Sequence, residues 1–124
     1  MYNIESNSPQ NLLIIRVEGE LTEWQIKNGR RAIKEEIKLL KKGFTVINDI
    51  SKMLQTTQNI ANQIRKIQLL LFNAGMGQIV RVVGNPVSKR QMVLNSDSIG
   101  YNAIEVESFE EAMDIATDIV KYNH

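Results

Sequence analysis

The chain has 124 residues, enough for one domain and one core but not two. Hydrophobic residues make up 43% and charged residues 23%, the balance of a globular chain rather than a disordered one. A net charge of +1 argues against a dedicated nucleic-acid binder, and the absence of cysteine excludes disulfides and thiol chemistry.

Residues 2–5, "YNIE", read as a short strand, and residues 11–22, "NLLIIRVEGELT", as a longer one. In the latter Leu13, Ile15 and Val17 alternate with Arg16 and Glu18, which gives the strand one wet face. Thr22 and Gln25 form a capping box at the start of a helix, in which two unpaired backbone N–H groups are satisfied reciprocally. Ile26, Gly29, Ile33, Ile37 and Leu40 make its apolar stripe, and Lys41, Lys42 and Gly43 close it. "FTVINDI" (44–50) is the next strand. A second helix from about Thr57 carries Ile60, Ile64, Ile67 and Leu71, and stops near Gly75. "QIVRVVG" (78–84) is a further strand, and Asn85 followed by Pro86 opens a third helix. "NAIEVE" (102–107) is a short strand, and Ser108 with Glu111 caps a last helix.

The order ββαβαβαβα predicts a single α/β domain, residues 1–124, with a mixed, mainly parallel sheet of four or five strands. Fully covered parallel strands read as unbroken apolar runs. Arg16, Glu18, Arg81 and Glu105 break these strands, so the four helices are expected largely on one face. The apolar runs are far too short to span a membrane, and the first ten residues lack the basic and apolar regions of a signal peptide. A cytoplasmic protein is the expectation.

The inventory for catalysis is thin. The only histidine is His124, so Ser-His-Asp and Cys-His arrangements and His/Cys metal sites are excluded. Asp49 lies at a strand end where α/β proteins place functional acids, but an Asp beside Ser51 reads first as a loop-ordering residue. Gly75 and Gly77 come after a helix and before a strand, the reverse of a phosphate-cradling turn. No enzyme activity and no cofactor are expected. Helix one carries Lys27, Arg30, Arg31, Lys34, Lys38, Lys41 and Lys42, diluted by Glu35 and Glu36, whereas the last segment carries Glu105, Glu107, Glu110, Glu111, Asp114 and Asp118. Solvated faces explain both, although such segregation also orients a protein partner. Trp24 either anchors a partner or folds over the preceding strand. The methionines and Leu54, Phe72 near the helix ends either fill the core or adapt to apolar ligands.

"RVEGELT" leading into a helix, "TVINDIS" leading through a loop into a second, and "QIVRVVGN" before a third resemble the STAS fold. More narrowly they are similar to its small stand-alone SpoIIAA-like branch, and "SIGYNAIEVESFEEAMDIA" is similar to that branch's closing strand and helix. The resemblance covers nearly the whole chain in order and texture. It implies a non-enzymatic regulatory module like the anti-sigma factor antagonists, with a protein partner such as a kinase or regulator. Antagonists of that family carry Asp-Ser-Ser-Gly at the start of helix two, where a partner kinase phosphorylates the Ser. Here Thr57, Gln58 and Asn59, with Thr56 just before, stand in that place, so the phosphoserine switch does not carry over. Thr56 or Thr57 takes the phosphate only if a kinase tolerates the change, and Thr57 reads as a helix cap.

Partner or ligand binding is therefore expected at the edge made by residues 51–58 and 85–88, with Ser51, Met53, Leu54, Thr56, Thr57 and Asn85 as its candidates. Homodimerisation is compatible with such an edge. The alternative is a binder or carrier of a small apolar, lipid-like molecule, since related folds include lipid-carrying domains.

Overall fold

The computed structural model describes residues 1–54, 57–83 and 103–122. Five strands form one sheet: β1 (Tyr2–Asn7), β2 (Leu12–Gly19), β3 (Thr45–Met53), β4 (Gln78–Val82) and β5 (Ile104–Val106). Helices α1 (Glu23–Ile37), α2 (Gln58–Asn73) and α3 (Phe109–Tyr122) complete the described elements. The helix expected from Asn85 lies outside the described residues.

Strand order in the sheet equals strand order in the chain, β1-β2-β3-β4-β5. Only the β1–β2 pair is antiparallel; the other pairs are parallel. A parallel series that always steps to the next neighbour in one direction, joined by right-handed crossovers, puts its connecting helices on one face. Accordingly α1 and α2 pack together against Leu13, Ile15, Val17, Val46 and Ile79, through Ile26, Ile33, Ile60, Ile64 and Leu71. The expectation of helices gathered largely on one face holds for this crossover pair. α3 is not a crossover. It follows the last strand and folds onto the opposite face, where Ala112 and Ala116 meet Leu12, Ile14, Ile47, Val80 and Val82. The second face is thus partly covered rather than open.

The capping box of α1 forms as its sequence implies: the Thr22 hydroxyl accepts from the Gln25 N–H at 3.1 Å, and the Gln25 side chain accepts from the Thr22 N–H at 3.1 Å. At the other end of the sheet, two loops lock together. The Gly43 N–H donates to the Gly75 carbonyl at 2.7 Å and the Gly77 N–H to the Phe44 carbonyl at 2.8 Å. Gly43 and Gly75 adopt φ of 88° and 96°, a left-handed conformation that suits glycine and turns the chain from helix to strand.

Arg81 corrects the reading of polar residues as markers of a wet face. It is 1% exposed and lies in register with Asn48 and Glu105, with Nη1 3.7 Å from the Glu105 carboxylate. Its alternation with Val80 and Val82 places it on the face that α1 and α2 cover.

Candidate functional site

The candidate edge is the C-terminal rim of the parallel strands. β2 and β3 do not reach it in step. Arg16 pairs with Asp49 and Glu18 with Lys52, so β3 runs three residues where β2 runs two, which is a bulge in β3. Asp49 fastens that bulge: its Oδ1 accepts from the Ser51 N–H at 3.0 Å and from the Ser51 hydroxyl at 2.6 Å. The other oxygen, Oδ2, meets Arg16 Nε at 3.4 Å, and the Arg16 guanidinium lies 3.7 Å from the Phe109 ring centroid. A carboxylate, a hydroxyl, a cation and an aromatic face thus tie β2, β3 and α3 together. Asp49 orders the chain locally, the role its position beside Ser51 suggests.

The bulge decides where the candidate residues go. The strand period of two would put Met53 on the same face as Asp49 and Ser51. The extra residue turns it over, so Met53 points under α1 and α2 and is 2% exposed. Met53 is therefore buried rather than displayed at the edge where the sequence reading sets it. Leu54 stands at the surface instead: it is 52% exposed, while its N–H donates to the Gly19 carbonyl at 3.0 Å and fixes the strand end. Ser51 is half-buried with its hydroxyl committed to Asp49. Thr57 is the N-cap of α2, and its hydroxyl accepts from the Ile60 N–H at 3.2 Å. Thr56 and Asn85 lie outside the described residues.

Two further residues complete the rim. Trp24, in the first turn of α1, is 69% exposed and does not fold over the strand. Met1, also 69% exposed, arrives because β1 is antiparallel, which sets its beginning beside the end of β2. The Glu18 N–H donates to the Met1 carbonyl at 2.8 Å. Trp24 was an open choice from the sequence, and Met1 carried no signal there, since its neighbour depends on the β1–β2 pairing. The first turns of α1 and α2 are joined by a hydrogen bond from the Asn59 amide to the Glu23 carboxylate. Three large apolar side chains, Met1, Trp24 and Leu54, therefore crown one edge beside two adjacent helix N-termini.

Below that edge, between the sheet and the two helices, is an apolar cavity of about 60 Å³. Ile15, Ile26, Ile64 and Met53 line it, with Asn48 and Gln68 as its buried polar groups. Among the described residues no group of three or more His, Cys, Asp or Glu side chains is placed to hold a metal ion. No described helix is long and apolar enough to cross a membrane.

No protein-family model matches the chain, and no curated protein matches it in sequence. Solved structures do match. SpoIIAA, an anti-sigma factor antagonist seen in its unphosphorylated form, superposes with a TM-score of 0.64 at 17% identity, over 93% of this chain and 96% of that one. The fold is SpoIIAA-like. An uncharacterised DUF3478 protein from Shewanella loihica PV-4, itself described as SpoIIAA-like, reaches a TM-score of 0.71 at 13% identity, covering 94% and 92% of the two chains. An anti-sigma factor antagonist from Mycobacterium paratuberculosis gives 0.61 at 12% identity, with 94% and 92% covered. The SpoIIAA-like likeness spans the whole fold, whereas identities this low carry no residue-level assignment.

Proposed function

We propose that this SpoIIAA-like chain is a non-enzymatic regulatory module of the cytoplasm, which acts by binding a protein partner and works without a phosphoserine switch. The observation that carries the reading is the apolar crown of Met1, Trp24 and Leu54, each more than half exposed. Large apolar side chains grouped at one edge are costly to leave in water and are suited to burial against a partner. The anti-sigma factor antagonists that share the fold make a kinase or another regulator the class of partner to seek. Thr57 supports the absence of the switch, because its hydroxyl already serves the helix and no serine stands beside it. Capture from the native cell with the tagged chain tests this. Trp24→Ala with Leu54→Ser should lose the captured regulator while melting at nearly the wild-type temperature; undiminished capture would refute the edge. Phosphate on Thr56 or Thr57 in protein isolated from that cell would refute the switchless reading.

The alternative, a carrier of a small apolar molecule, draws on the cavity beneath the edge. Its volume of about 60 Å³ is well below the roughly 150 Å³ of an apolar cavity that takes benzene. A lipid chain enters only if α1 parts from the sheet. Native mass spectrometry of the purified protein separates the two readings, since a co-purifying lipid mass favours the carrier.

A further inference from the structure

The net charge of +1 conceals a separation of charge across the sheet. On α1, Lys27, Arg31, Lys34 and Lys38 are exposed and follow one another at intervals of four, three and four residues, one ridge along the solvent side of the helix. Glu107, Glu111, Asp114 and Asp118, also exposed, repeat the same four-three-four interval on and just before α3. Each ridge runs over twelve residues, about 16 Å along α1 to its C-cap Lys38, whereas on α3 proper Glu111–Asp118 covers about 10 Å and Glu107 precedes the helix by two residues. Lys38 has Glu35 at 3.0 Å. The other seven charges have no ion pair within 4 Å among the described residues.

The two ridges lie on helices that cover opposite faces of the sheet. They cannot meet within one chain. From these placements we infer that the α1 ridge of one chain docks on the α3 ridge of a second copy. Equal spacing along the sequence and opposite sign make the two ridges complementary. The spacing reads the same in both directions, so the helices can lie parallel or antiparallel. Because the ridges point away from the sheet on opposite sides, a two-fold axis cannot satisfy both at once. The contact is heterologous, leaving an unused ridge of each sign at the ends of the pair, so copies add in rows. Other anionic surfaces would meet the α1 ridge alone and leave the α3 ridge unexplained. The α1 ridge begins at Lys27, one turn from Trp24 of the apolar crown, and runs away from it along the helix.

Sedimentation velocity on the purified chain tests the inference. At about 20 mM salt, where screening is weak, the average mass should climb with protein concentration; at about 500 mM it should fall back to that of one chain. Reversing one ridge with Arg31→Glu and Lys34→Glu, or the other with Glu111→Lys and Asp114→Lys, should give single chains even at low salt. Mixing the two variants in equal amounts should restore association, because the doubly reversed contact is again complementary. A single-chain mass at every concentration and salt would overturn the inference, as would association indifferent to both reversals. Co-sedimentation of the chain with phosphatidylglycerol vesicles, without self-association in their absence, would assign the α1 ridge to a membrane surface and equally overturn it.

Discussion

Thr57 and Met53 lie four residues apart and hold the molecule together in different ways, one by a cap and one by packing. The Thr57 hydroxyl satisfies one N–H of the first turn of α2, so Thr57→Ala should cost about 1 kcal/mol, read as a lowered thermal midpoint with unchanged helix content. Met53 is enclosed among Ile26, Ile64 and Val46, and Met53→Ala should cost about 2–5 kcal/mol in chemical denaturation. Leu54→Ala should stay within about 0.5 kcal/mol, since the side chain stands mostly in water. Equal costs at 53 and 54 would mean that the bulge does not turn Met53 inward. The cap at Thr57 was legible from the sequence because capping depends only on residue type and the helix that follows. Met53 was not, because counting alternation along a strand assumes a period of two, and one extra residue reverses every later assignment.

Among the elements, α1 holds the most informative glycine. Gly29 sits in mid-helix, where glycine is unfavourable, and a Cβ there would rest 3.7 Å from Ile4 and 3.8 Å from Tyr2, in ordinary contact. Gly29→Ala should therefore stabilise the protein by about 0.5–1 kcal/mol in equilibrium unfolding. Gly77 is the contrasting case. A Cβ there would meet the Gly43 carbonyl oxygen at 2.6 Å, and backbone cannot step aside as a side chain can. Gly77→Ala should cost about 1–3 kcal/mol by prising apart the two interlocked loops. Among the described residues, the strands and helices could be placed from periodicity and caps, and the position of α1 and α2 from the handedness of their crossovers. The place of α3 could not, because no rule of handedness governs a helix that returns to no strand. Arg81 shows the same limit: a charged residue in a strand marks a wet face only when no partner on the next strand, here Glu105, lies beside it.

For the whole molecule, the two faces of the sheet are not equivalent. The α1–α2 side holds the larger core, and Ile33 and Ile64 are 2% and 8% exposed at its centre. An aspartate at either site would place a charge in that core without a partner, at a cost comparable to the roughly 5–15 kcal/mol of total stability. Ile33→Asp and Ile64→Asp should be found unfolded or aggregated by circular dichroism and gel filtration. Cooperative melting of either variant would show that the core is elsewhere. The candidate edge was visible in the sequence as a place, from the strand-to-helix junctions. Its apolar content was not, since Met1 reaches it through a strand pairing and Trp24 through exposure, neither of which residue order alone reveals.

The coincidence of sheet order with chain order bears on how the protein is made. During synthesis each new strand finds its neighbour already present, and no earlier pair has to open to admit it. The helices of the first face are made between the strands they cover. Among the described residues the second face has no such provision: Leu12, Ile14, Ile47, Val80 and Val82 are covered by α3, which follows every described strand. Once the strands have left the ribosome and before α3 has followed, those five apolar side chains lack the helix that finally covers them, a surface open to aggregation.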